Sequence, residues 1–184
     1  MISQMATVAT EKRRSKRRSQ FAAKRSAMSA EHLGWKRFVH LLEKGQPGAN
    51  SYVVLLGLDT FDSRQLLQSV ERGFPYATFE HLVANTSLQP DETLRLVDIP
   101  SRTLTRRRSE GRFHQDESDR LLRASRIFAH ALRLFEGDRE AAKAWLSRPQ
   151  KAIGGLTPLS VARTEVGALE VERLIGRLEH GVFT

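Results

Sequence analysis

From residue 29 onward, apolar residues return at steps of three and four, the spacing of one helix face, with turn-forming residues between the runs. Ser29 is placed to cap a first helix ending at Glu43, with Leu33, Phe38, Leu41 and Leu42 inward and Gly45, Pro47 and Gly48 stopping it. The run "SYVVLLGL" from Ser51 to Leu58 is apolar without a period and fits a short strand or a buried helical turn equally. Thr60 or Asp62 caps the next helix, which carries Phe61, Leu66, Leu67 and Val70 and closes at Gly73.

Past that point the helical signals crowd together. Pro75 suits a first helical position, and Phe79, Leu82 and Val83 form the apolar stripe behind it. Pro90, Asp91 and Glu92 open a second short helix with the acidic first turn that the helix dipole favours, and Leu94 and Val97 face inward. Asp98-Ile99-Pro100 breaks it. Ser101 caps a third helix anchored by Leu104 and ending near Gly111. Three short helices at tight turns outline a helix-turn-helix over 73–136.

The rest is helical as well. Asp116 to Phe135 spaces Leu121, Ser125, Phe128, Leu132 and Phe135 by four and three, a core-facing seam. Gly137 ends it, Asp138 caps a helix burying Ala141, Trp145 and Leu146, and Pro149 closes that one. After Gly154-Gly155, Thr157-Pro158 opens a short helix, and Thr164-Glu165 starts the last, with Val166, Leu169, Leu174, Ile175 and Leu178, ended by Gly181. The pattern predicts an all-α chain without internal repeats: a basic arm over 1–28, a helical extension over 29–72, the helix-turn-helix over 73–136 and a small helical domain over 137–184.

Charge changes this picture in two places. Residues 1–30 hold eight Lys/Arg against one Glu, a local +7, whereas the rest holds 22 against 20. With almost no large apolar residue, the first 28 positions cannot offset the entropy of ordering and read as a mobile arm. The second concentration is "RTLTRRRSEGR", where Arg102, Arg106, Arg107, Arg108 and Arg112 face only Glu110. Two positive patches on a balanced body suit a polyanion.

With Leu104 turned inward, Arg102, Thr103, Arg106 and Arg107 are expected to project outward. Arginine can bridge guanine O6 and N7 with two hydrogen bonds, and Thr103 and Thr105 can meet phosphate or a thymine methyl. Ser101 stands at the start of this helix, while Arg108 and Arg112 suit backbone phosphates, which position a protein without reading sequence. The competing reading is a solvated basic face, its arginines paired with Glu110, Asp116 and Glu117. One short helix reads about four base pairs, so a homodimer on half-sites about 34 Å apart is expected.

Enzyme chemistry finds no support. The chain has no cysteine, which excludes disulfides and thiolate nucleophiles and suits a reducing cytoplasm. Its six histidines (His32, His40, His81, His114, His130 and His180) show no metal-ligand spacing, and no phosphate-binding glycine loop is present. No cofactor is expected. Asp116, Glu117 and Asp119 sit near a helix start, where acidic residues complement the dipole. The longest apolar run, Tyr52 to Leu58, cannot span a bilayer, and no apolar stretch follows the basic start as a secretory signal requires.

The motifs "RTLTRR", "AWLSRP", "GGLTPL", "RTEVGALEV" and "GRLEHGV", in that order between Gly73 and Phe183, resemble the Xre/MbcA/ParS antitoxin family. The resemblance implies a type II antitoxin partnered with a RES-domain toxin that degrades NAD. Its C-terminal domain would cover the toxin's active site and its helix-turn-helix would repress the shared operon. Glycine-rich turns and helix starts offer N–H groups that can fill an anion-binding cleft. Toxin contacts are therefore expected at Lys151, Gly154, Gly155, Leu156, Thr157, Arg163, Thr164 and Glu165, and along the last helix at Arg173, Arg177 and Phe183. Alternatively, Trp145, Leu156, Leu159 and Leu169 are simply core. A stand-alone regulator whose C-terminal domain only dimerises, and an RNA-binding protein using the basic arm, are the competing functions.

Overall fold

A computed structural model describes residues 33–45 and 48–181; the basic arm, the Ser29 cap, Pro47 and Phe183 lie outside them. Among the described residues every regular element is helical: α1 (Leu33–Glu43), α2 (Ser63–Glu71), α3 (Ala77–Thr86), α4 (Pro90–Val97), α5 (Ser101–Glu110), α6 (Gln115–Leu134), α7 (Arg139–Leu146), α8 (Pro158–Val161) and α9 (Glu165–Glu179). Two 3₁₀ turns, Ser51–Leu56 and Lys151–Ile153, complete the set.

The chain is built around α6. Leu121, Ile127, Phe128 and Leu132 are fully buried on it, while Phe135 just past its end is only partly covered. The expected seam is therefore core, and α2, α3, α4, α7, α9 and the first 3₁₀ turn all pack against this one rod. Burying such side chains is worth roughly 1.5–3 kcal/mol each, which makes α6 the main source of cohesion. Its first turn is closed by a capping box: the His114 backbone N–H donates to Glu117 Oε2 at 2.8 Å.

The ambiguous "SYVVLLGL" run is a 3₁₀ turn in which Val53 to Leu56 are all buried. It is covered by α1, α3 and α6 on different sides, which is why its sequence shows no period. Asn85, fully buried on α3, staples this region. Its Oδ1 accepts from the Trp35 N–H at 2.9 Å and its Nδ2 donates to the Leu55 carbonyl at 3.0 Å. Of the two candidate caps for α2, Asp62 fills the role, accepting from the Gln65 N–H at 2.9 Å.

Pro75 does not begin a helix. It forms an isolated antiparallel bridge with Arg112, and α3 starts two residues later. The Phe113 N–H donates to the Phe74 carbonyl at 2.8 Å and the Tyr76 N–H to the Gly111 carbonyl at 2.9 Å. This clasp ties the entry of α3 to the exit of α5. Gly73, at φ +79°, makes it possible: a Cβ there would lie 2.0 Å from the Phe113 carbonyl oxygen. Ser101 is the first residue of α5 rather than its cap; Pro100 holds the cap position, with no side-chain bond to the helix start.

In the C-terminal part, Asp138, Thr157 and Thr164 cap α7, α8 and α9 as expected, each accepting from a backbone N–H three residues on. The last helix departs from expectation. Ala168, Val171, Leu174 and Ile175 are its buried side, whereas Val166 and Leu169 face out at 75% and 42% exposure. In α7, Ala142 and Leu146 are fully buried, and Ala141 and Trp145 only partly.

Candidate functional site

The turn from α4 to α5 sets the direction of the basic helix. Asp98 adopts the left-handed conformation, φ 51° and ψ 44°, and Ile99 is buried behind it. The capping box at the start of α4, with Glu92 accepting from the Gln89 N–H at 2.8 Å, fixes the preceding helix. No other helix packs broadly against α5; Leu104 reaches the core, partly buried, and Thr103 is half-buried. Ser101, Arg102, Thr105, Arg106 and Arg108 are exposed, so the helix presents its first turn and one basic flank to solvent.

Arg107 does not project outward. It is 3% exposed, with Nε 2.6 Å from Glu117 Oε2, Nη1 2.5 Å from Glu110 Oε2 and Nη2 2.9 Å from His114 Nδ1. The carboxylate hydrogen bonds raise the Arg107 pKa further, so it stays a cation. Because an arginine can only donate, His114 Nδ1 is the acceptor in that pair. The residue is thus the polar bolt between α5 and the start of α6, and it leaves the set of DNA-contact candidates. Arg112 is also committed: Nη1 donates to the carbonyls of Arg72 and Gly73 at 2.8 and 3.0 Å, closing the end of α2.

The bolt sets a pH dependence. Burial alone would raise the Glu117 carboxyl, but the Arg107 guanidinium and the His114 N–H hold it below the ordinary carboxylate range. A carboxyl depressed in the folded state contributes stability above its unfolded pKa, about 4.3, and that contribution is lost as pH falls through the folded value. Urea unfolding between pH 6 and pH 3 is expected to show stability falling with acid. The slope should be shallower in Glu117→Gln.

The C-terminal candidates divide into two groups. Gly154 and Gly155, both at positive φ, form an exposed turn with Lys151 beside it, and Leu156 leaves that turn 56% exposed. Val166 and Leu169 lie three residues apart on one face of α9. Other candidates are engaged within the chain. Thr157 and Thr164 cap helices, Glu165 pairs with Arg126 at 2.7 Å, Arg173 pairs with Glu170 at 2.5 Å, and Arg163 pairs with Asp98. Arg177 is half-buried. The alternative in which Leu156 and Leu169 are core does not hold, since both are exposed; the buried seam of α9, Ala168–Val171–Ile175, lies on the other side of the helix from Val166 and Leu169.

His81 and His130 are half-buried and burial lowers the pKa of each, which keeps them neutral at pH 7. Among the described residues no group of His, Asp and Glu is arranged to hold a metal, and no helix is long and apolar enough to cross a membrane.

Two short helices at a sharp turn, the second basic and outward, followed by a helical unit with an exposed apolar face, define a helix-turn-helix protein with an appended binding domain. Residues 65–126 match the antitoxin Xre-like helix-turn-helix domain, and 130–181 match the antitoxin Xre/MbcA/ParS C-terminal toxin-binding domain; both matches draw on α6. A protein named antitoxin Xre from Yersinia enterocolitica is 44% identical over 130 residues, covering 70% of this chain and 88% of that one. A second from Photorhabdus laumondii is 36% identical with the same coverage, and one from Pseudomonas putida is 39% identical over 84 residues, 45% of this chain and 52% of that one. The chain belongs to the Xre/MbcA/ParS antitoxin family. It is a helix-turn-helix antitoxin of a toxin–antitoxin system, not an enzyme.

Proposed function

We propose that this antitoxin, acting in the cytoplasm, inhibits a RES-type, NAD-degrading toxin by covering its active site, and represses its own operon by binding operator DNA through α5. In this reading residues 73–136 serve the DNA and residues 137–184 the toxin. The observation that carries the toxin half is the exposed apolar set Leu156, Val166 and Leu169, inside the segment matching a toxin-binding domain. Solvated leucines and a valine gain free energy only when a partner covers them. Gly154 and Gly155 keep the backbone beside Leu156 narrow, so that edge can enter a cleft. On the DNA half, Arg102 and Arg106 stand one turn apart on the exposed start of α5, the geometry for reading base edges. A homodimer supplies the second half-site that one short helix needs.

Co-expression with the product of the neighbouring gene tests the toxin half. The wild-type chain is expected to restore growth and to co-purify with that product. Val166→Asp combined with Leu169→Asp places two charges on the apolar face and is expected to weaken the complex at least about 30-fold, the loss of a hot spot worth about 2 kcal/mol. DNA affinity should stay within about twofold. Full rescue of growth by the double variant would remove this face from toxin neutralisation.

A further inference from the structure

The helix-turn-helix turn is held from both sides of the chain. Asp98, in the left-handed region without being glycine, offers two acceptors. Its carbonyl takes a hydrogen bond from Arg120 Nη1 of α6 at 2.8 Å. Its carboxylate pairs with the guanidinium of Arg163, 65 residues later, in the link between α8 and α9.

Arg163 is itself set in place. Its carbonyl accepts from Arg123 Nη2 at 2.8 Å, and Arg123 is buried. On one side Ala162 is buried in the core; on the other Thr164 caps α9, and Glu165 pairs with Arg126. The backbone at 162–165 is therefore pinned to α6, and only the Arg163 side chain reaches across. It does so beside an open cleft of about 380 Å³ that also takes in Arg95, Pro100 and Ser101 at the entry to α5. The α4 helix packs directly on α8, so this pairing belongs to a continuous contact.

The geometry points to Arg163 as a positioning residue for the DNA-reading helix, supplied by the toxin-binding domain. It acts through Asp98: by neutralising the carboxylate where the chain reverses, it favours the one turn conformation that aims Arg102 and Arg106 outward. The inference rests on the reading that α5 contacts DNA. Both partners are about half exposed, at 52% and 48%, so the effect belongs to the modest range of surface pairs. A lost contribution of that size weakens DNA binding about three- to fivefold.

The test uses the full chain and duplex DNA from upstream of its own gene, titrated across salt concentrations. Four proteins are compared: wild type, Arg163→Gln, Asp98→Asn and the double variant. Asparagine tolerates the left-handed conformation, so the turn keeps its backbone. Each single variant is expected to bind about three- to fivefold more weakly with an unchanged salt slope, and the double variant no more weakly than either single, as expected for one shared interaction. Unchanged affinity in both singles would overturn the proposal and leave DNA binding through α5 intact. A salt slope lowered by about 0.9 in Arg163→Gln alone, with Asp98→Asn unaffected, would make Arg163 a phosphate contact and also overturn it. Failure of the wild type to bind the duplex would overturn the DNA reading itself.

Discussion

Replacing Arg107 by alanine is expected to lower unfolding stability by about 3–5 kcal/mol, the cost of leaving a buried charge without its partner. The side chains of Arg107 and Glu117 are 4% and 6% exposed and 2.6 Å apart, so water cannot take over when one is removed. Glu110 Oε2 and His114 Nδ1 would lose their donor as well. The loss is concentrated where α5 is weakest, because apart from Leu104 that helix has little apolar attachment of its own. Arg108→Ala, one residue along and exposed, should change stability by no more than about 0.5 kcal/mol. Pairing Arg107→Met with Glu117→Leu should recover much of the loss, since apolar groups of similar volume leave no orphaned charge. Equilibrium urea unfolding reads all three. If Arg107→Ala cost no more than Arg108→Ala, the bolt would carry no structural weight.

This residue also shows where the sequence is and is not legible. The start of α4 from Pro90, Asp91 and Glu92, the end of α5 at Gly111 and the seam along α6 all follow from local chemistry, and the structure has them in place. Arg107 was misread because an arginine run looks uniformly solvated. Yet it lies three residues after Leu104, on the same helix face, so the inward anchor already placed it inward. Glu110 and Glu117 are the partners that the competing reading offers these arginines; what spacing alone could not give is that Arg107 takes both and is buried with Glu117, which needs the clasp at Phe74 and Phe113 to fix where α6 starts. The Asp98–Arg163 pair was illegible for the same reason: 65 residues separate its members. On α9, seven apolar positions cannot all face one way, and the small residues Gly167 and Ala168 decide which side is buried. A Cβ at Gly167 would meet the Val161 carbonyl oxygen at 1.8 Å, so α8 lies against that side and Val166 and Leu169 are left outside.

Arg102→Ala combined with Arg106→Ala is expected to weaken operator binding about a thousandfold. A bidentate arginine–guanine contact is worth about 1–3 kcal/mol, and two together reach about 4 kcal/mol. Both side chains are available for it. Arg102 is exposed, and Arg106, 60% exposed, has only a 3.9 Å pairing with Glu110 to give up, a contact worth little in water. Neither supports the core, so the double variant should fold as the wild type does.

One chain is expected to divide two tasks between separate surfaces, duplex DNA on the start of α5 and toxin on the exposed apolar residues Leu156, Val166 and Leu169. The most direct test measures operator affinity and toxin neutralisation on the same purified Arg102→Ala, Arg106→Ala protein. DNA binding is expected to be lost while growth rescue and complex formation match the wild type. Loss of both activities in the folded variant, or operator binding at wild-type strength, would contradict that division.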